Sequence, residues 1–167
     1  YLGKPTLKNS GDKDSDEYAS HALVFMLAGV TTRWKQTIGY HFTGNTYSAT
    51  EANEIILSIL KKAHSIKLDV CAIISDMGPQ NRALWRLNQI SAGRFSKINN
   101  VQEYLINDTE KKKNYFVADA THVHKNIRLA LTDGNTLYLS QDVVSKYNLP
   151  TNEITIEPIK KVVEEDN

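Results

Sequence analysis

The stretch Leu68-Asp-Val-Cys-Ala-Ile-Ile-Ser-Asp-Met-Gly-Pro79 decides the fold. An apolar run this short, closed by a carboxylate and a Gly-Pro turn, reads as a buried strand over 68–75 that ends at Asp76. Beyond the turn, 80–87 reads as a short helix. Upstream, Ser48 and Glu51 form a capping-box pair, and Ala52, Ile55, Ile56, Ile59, Leu60 and Ala63 recur at helical spacing. Before that helix lie two strand-like runs, 20–30 and 34–42, joined by Thr31-Thr32-Arg33 as a hairpin. The first is apolar at nearly every position, which predicts cover on both faces. The second alternates, with Trp34, Gln36, Ile38, Tyr40 and Phe42 expected to pack and Lys35, Thr37 and His41 to face outward. Strand, helix and strand with short joins form the β-α-β unit of an α/β sheet containing parallel pairs.

Downstream the pattern weakens. Residues 88–114 carry the basic run Lys111-Lys112-Lys113 and read as a surface excursion. Tyr115 to Ala118 is a short strand ending at Asp119, and 121–131 a helix with Val123, Ile127, Ala130 and Leu131 on its apolar side. Asp133-Gly134-Asn135 is a turn; 141–147 and 158–164 are helical, joined by an extended 152–156. The first nineteen residues read as a strand remnant and a polar loop.

Composition narrows the class. The chain has 167 residues with 41% hydrophobic and 23% charged, suited to one ordinary globular domain rather than to disorder or a coiled coil. Its longest purely apolar run, Ala22 to Ala28, falls well short of the roughly 20 residues that span a bilayer, and no secretory leader opens it. With 20 Lys and Arg against 19 Asp and Glu, it lacks the basic excess of a typical DNA-binding module. One cysteine, Cys71, excludes a disulfide framework and a multi-cysteine zinc site, and suits a reducing compartment.

Asp76 and Asp119 both stand where an apolar strand meets a turn or helix, the end at which open α/β sheets place ligands. Such carboxylates can share a hard cation such as Mg²⁺, or each can cap the helix that follows. His122 and His124, two apart, point to different faces of a helix and cannot chelate one ion from it. Lys125 and Arg128 continue from His122 at spacings of three as a basic stripe, open to a phosphate or to solvent. No phosphate loop, dinucleotide fingerprint or serine-nucleophile elbow occurs. Trp34 and Trp85 are expected to be core aromatics rather than stacking platforms for bases.

Three blocks carry a resemblance: His21 to Phe42, Val70 to Trp85 (Val-Cys-Ala-Ile-Ile-Ser-Asp-Met-Gly-Pro-Gln-Asn-Arg-Ala-Leu-Trp), and Phe116 to Arg128 (Phe-Val-Ala-Asp-Ala-Thr-His-Val-His-Lys-Asn-Ile-Arg). In order and separation they resemble P-element-type DNA transposases, which include those with an N-terminal THAP zinc finger and their domesticated vertebrate relatives. The resemblance implies an RNase H-like fold, a mixed five-stranded sheet flanked by helices, here without its first strand and C-terminal part. It implies cut-and-paste DNA transposition through three acidic residues and Mg²⁺, with a GTP requirement. Ser75-Asp76-Met77-Gly78 looks like the block of the family's second catalytic aspartate, so Asp76 is the expected catalytic and metal-binding residue. The family's first aspartate, in a Phe-Asp-Glu-Met-like motif on the opening strand, has no counterpart here. Its final glutamate follows a GTP-binding insertion, whose site is not expected within this chain. Asp119, His122 and Lys125 match a family block of Asp-x-x-His-x-x-Lys type, with structural or active-site-edge roles. The implied organisation is 1–19 as strand remnant and loop, 20–135 as the N-terminal part of the catalytic domain, and 136–167 as the start of the insertion. In the intact protein the implied partners are transposon-end and target DNA and a second copy of the chain, in the nucleus and away from membranes. The alternative is a domesticated, catalytically inactive scaffold that binds DNA or protein. An unrelated nucleotide-binding domain is disfavoured by the missing phosphate loop.

Overall fold

The structure is a computed structural model that describes residues 3–7, 18–91, 97–107 and 109–165. The chain divides into two compact units, Tyr1–Val117 and Ala118–Asn167.

In the first unit, β1 (His21–Ala28) and β2 (Lys35–Thr43) form the expected antiparallel hairpin. Phe25 faces Gly39 and Met26 faces Thr37, which leaves Ile38 as an extra residue in β2, a β-bulge. The bulge corrects the packed face read from alternation. Trp34 and Ile38 line an apolar cavity, whereas Tyr40 and Phe42 do not, and their exposed rings meet edge to face at 5.5 Å. The half-buried positions after the bulge are Gly39 and His41, and Thr43 is buried. Trp34 is itself exposed rather than core. Nor is β1 covered on both faces: its burial alternates, and Val24 and Met26 are 52% and 55% exposed.

Helix α1 (Ala49–Ser65) begins as its sequence dictates, with the Ser48 hydroxyl accepting the Glu51 N–H at 3.2 Å. It buries Ala52, Leu60 and Ala63. Strand β3 (Ala72–Ser75) is half the expected length, and α2 (Pro79–Leu87) follows the turn. Trp85 is the core aromatic expected: it is buried, meets Phe116 edge to face at 6.0 Å, and donates its indole N–H to Ser75 Oγ at 3.2 Å.

The surface excursion expected over 88–114 is instead a second antiparallel hairpin, β4 (Val101–Leu105) and β5 (Lys111–Ala118). The triple lysine lies on β5. Lys113 faces Glu103 across the pair with charges 3.7 Å apart, and Lys112 reaches Asp69 at 3.1 Å. Farther along β5, Asn114 and Phe116 point into the core and Tyr115 between them is exposed. Asp69 also meets His64 Nδ1 at 3.4 Å. These partners, the Lys112 hydrogen bond first, hold the Asp69 carboxyl below its usual range. Asn88, buried at the end of α2, donates to Asn53 on α1 and to the Leu84 carbonyl, and accepts from Gln102 on β4. That amide joins three elements at one point.

The strands of this unit form two sheets, β1-β2 and β3-β5-β4. The strands expected of the incomplete family sheet, β1, β2, β3 and β5, are present together with the unexpected β4, but they form two sheets instead of one. Among the described residues β1 pairs only with β2 and β3 only with β5, so each keeps one unpaired edge. Of the expected strand remnant and loop, 1–2 and 8–17 lie outside the described residues. Thr6 and Leu7 donate backbone N–H groups to the Phe42 carbonyl, and Leu7 is buried.

In the second unit, α3 (Ala120–Thr132) ends at a turn where Gly134 takes a φ of +82°, a conformation glycine adopts without strain. The two-residue strands β6 (Leu137–Tyr138) and β7 (Glu153–Ile154) pair around α4 (Gln141–Tyr147), and α5 (Glu157–Glu165) follows. None of the three helices holds a fully buried residue, so the apolar side expected for α3 is only partly covered. No described helix is long and apolar enough to cross a membrane.

Asn114 is 0% exposed, and neither its Nδ2 nor its Oδ1 has a hydrogen-bond partner among the described residues. A buried amide without partners keeps its full desolvation cost, and an apolar group of similar shape removes it. Asn114→Leu is therefore expected to raise the unfolding free energy by about 1–2 kcal/mol in urea titrations. A loss of stability would show that the amide has a partner after all.

Candidate functional site

The apolar residues of β3 deliver Asp76 to the strand's C-terminal end, half-buried. Its Oδ1 accepts two hydrogen bonds at 2.8 Å, one from the Gly78 backbone N–H and one from the Asn81 amide. The first closes an Asx turn. The second comes from within the first turn of α2. Asn81 is held from its other side, because the Tyr47 hydroxyl donates to its Oδ1 at 2.9 Å. The chain Tyr47–Asn81–Asp76 thus fixes both the amide orientation and the carboxylate. Gly78 is required by close approach: a Cβ there would lie 2.9 Å from Asp76 Oδ1. Asp76 is not the N-cap of α2. That position is Gly78, which caps without a side chain, and Pro79 behind it has no N–H to satisfy. The carboxylate therefore braces the turn instead of capping the helix.

The Tyr47 hydroxyl is pushed above its ordinary pKa, first by burial and second by the negative charge of Asp76. Asn81 and Tyr47 are the site residues that sequence reasoning missed. Asn81 carried a signal, a short amide five positions beyond the carboxylate and just inside a helix. Tyr47 carried none, because the fold alone brings it there.

The second unit holds the other candidates. Asp119 is the N-cap of α3, accepting the Thr121 N–H on Oδ1 at 3.1 Å, and its Oδ2 lies 2.5 Å from His122 Nδ1. The capping reading of Asp119 is thus realised, with a histidine clamped on the second oxygen. Lys125 is exposed and pairs with no described residue. The structure brings Asp119 and His122 together, while Asp76 belongs to the first unit. Among the described residues no group of three or more His, Cys, Asp or Glu side chains could hold a metal ion. Asp76 offers hard oxygen of the kind Mg²⁺ takes, but the donor set is too small for a cation site by itself.

A family model described as "TNP-like, RNase H N-terminal domain" matches residues 2–88, more than half of the chain. The chain belongs to that family. Its fold is RNase H-like, and the β1–β2 hairpin, α1, β3 and α2 all lie in the matched region. Among solved structures, the Drosophila P element transposase strand transfer complex matches with a TM-score of 0.66 at 21% identity. The match covers 94% of this chain and 30% of that one, so the chain spans less than a third of the transposase it resembles. No curated protein matches.

The raised pKa of Tyr47 has a testable sign. Its protonated form is favoured in the folded state, so the stability it contributes is fully present below the unfolded value near 10. That contribution is lost as pH rises through the higher folded value. An absorbance titration of phenolate is expected to show a late phase from Tyr47 and the buried Tyr104, with the Tyr47 share absent in Tyr47→Phe and shifted part-way back in Asp76→Asn. A Tyr47→Phe titration indistinguishable from that of the unsubstituted chain would break the link between the hydroxyl and the carboxylate.

Proposed function

We propose that this chain is part of the catalytic domain of a P-element-type cut-and-paste DNA transposase and that Asp76 is one of its catalytic carboxylates. The observation that carries the reading is the placement of Asp76, half-buried at the end of β3 with Oδ1 oriented by two neutral donors. Membership of the TNP-like RNase H family and the structural likeness to a P element transposase support it. In the intact protein, Asp76 would be one oxygen ligand to Mg²⁺, with the remaining ligands coming from outside the described residues. Bound there, divalent ions would activate water or a 3′-hydroxyl and stabilise the leaving oxygen during in-line attack on phosphorus. The contribution of this chain is positional. The Asx turn and the Asn81 amide hold one carboxylate oxygen, and Tyr47 holds the amide. Asp119 and His122 stay structural, clamping the start of α3.

The other parts of the reading concern the intact protein: transposon-end and target DNA as partners, self-association, nuclear residence and a GTP requirement. The near-neutral charge of this chain suits a part that holds geometry while other segments supply most phosphate contacts. GTP is expected not to bind these 167 residues, which lack a phosphate loop.

Two measurements test the reading. Purified residues 1–167 are expected not to nick DNA with Mg²⁺, because one carboxylate cannot organise two ions. Nicking by the chain that Asp76→Asn abolishes would refute this. In the intact protein, Asp76→Asn is expected to abolish excision while leaving expression unchanged, and Asn81→Ala to reduce excision by about ten- to a hundredfold. Normal excision by Asp76→Asn removes the residue from the mechanism, whereas no excision by the unsubstituted intact protein favours the inactive-scaffold reading.

A further inference from the structure

Helix α2 starts at the turn that holds Asp76, and it carries two arginines, Arg82 and Arg86, and no acidic residue. Four positions apart, they share one face of the helix, separated by about 6 Å along its axis. Both are exposed, while Leu84, Trp85 and Asn88 on the other side are buried. Arg82 follows directly on Asn81, whose amide donates to Asp76 Oδ1 at 2.8 Å, so the basic row begins one residue past the group that orients the carboxylate. Among the described residues neither guanidinium forms an ion pair, whereas Lys112, Lys113 and Lys160 are each matched by a carboxylate. Helix stability accounts for Arg86, which lies in the last turn and complements the dipole. It does not account for Arg82, a cation near the positive end of a helix with no acidic residue in its first turn.

We propose that Arg82 and Arg86 grip consecutive phosphates of the DNA strand that is cut, beside the phosphodiester presented to Asp76. The inference rests on the catalytic reading of Asp76 and adds the residues that hold the substrate backbone there. Three features select a phosphodiester strand. A guanidinium is always charged and presents a planar fork of donors that matches phosphate oxygens. The one-turn spacing is comparable with the separation of neighbouring phosphates along the path of one strand, so a single strand can meet both side chains. Asp76 repels a polyanion, and two cations without carboxylate partners beside it offset that repulsion. Such contacts fix the position of the strand and carry no sequence information. Two of them agree with a near-neutral chain that leaves most phosphate contacts to other segments.

The test uses the intact protein and a labelled duplex carrying the terminal sequence that flanks its gene, in metal-free buffer, where binding is read without cleavage. Neutralising both arginines, Arg82→Gln with Arg86→Gln, is expected to lower the slope of log affinity against log salt by about two. The charge-conserving pair Arg82→Lys with Arg86→Lys is expected to keep the slope, and so is Asp76→Asn, which removes no cation. Lys61→Gln with Lys62→Gln, two exposed cations on α1, is expected to leave it unchanged as well. With Mg²⁺ and DNA below saturation, cleavage by the glutamine pair is expected to fall about tenfold, the affinity lost with two phosphate contacts. An unchanged slope in the glutamine pair, or an equal fall in the α1 lysine pair, overturns the proposal. So does normal cleavage by the glutamine pair with a loss confined to the joining of pre-cut ends, which assigns the arginines to target DNA. Normal excision by Asp76→Asn, with the slope still lowered in the glutamine pair, sinks the catalytic reading of the carboxylate and keeps the phosphate contacts.

Discussion

Among the described residues β1 and β3 each keep one unpaired edge, and the packing of the first unit has to accommodate both. A backbone edge must pair or be solvated, and an apolar side chain must pack or stay exposed. Here both demands fall on the same residues. The result is a sheet in two parts, a cavity lined by α1, and a first strand that alternates in burial although its sequence is apolar almost throughout. The bulge at Ile38 belongs to the same arrangement: it keeps Trp34 and Ile38 on the cavity and leaves Tyr40 and Phe42 outside it.

What was legible in the sequence was what local chemistry determines. The capping serine of α1, its apolar stripe, the start of α2 after Gly78-Pro79 and the Asp119 cap all rest on residues within one turn of each other, and all are present. What was not legible rests on distant partners. The β4–β5 hairpin was hidden because Lys111 to Lys113 look solvated; their charges are met by Glu103 across the hairpin and by Asp69 from another segment. The exposed face of β1 was hidden because apolar composition reports that a strand can be buried, not that its neighbour is present. In the site, Asp76 was readable from its place at a strand end and its resemblance block. The Tyr47–Asn81 support was not, since a hydroxyl 29 positions upstream has no local signature.

The two carboxylates of the 68–76 segment, Asp69 and Asp76, are held in different ways. Asp69 is exposed and bonded to Lys112, whose positive charge favours its ionised form, and to His64, which together occupy it in a surface cluster. Such exposed pairs contribute little to stability and leave little for a ligand to gain. The two donors on Asp76 Oδ1, a backbone N–H and an amide, are neutral. They fix the direction of that oxygen. Gly78 completes the arrangement, since any side chain there would crowd the oriented oxygen. The Met-Gly-Pro turn after β3 is therefore explained less by the helix it starts than by the carboxylate it holds.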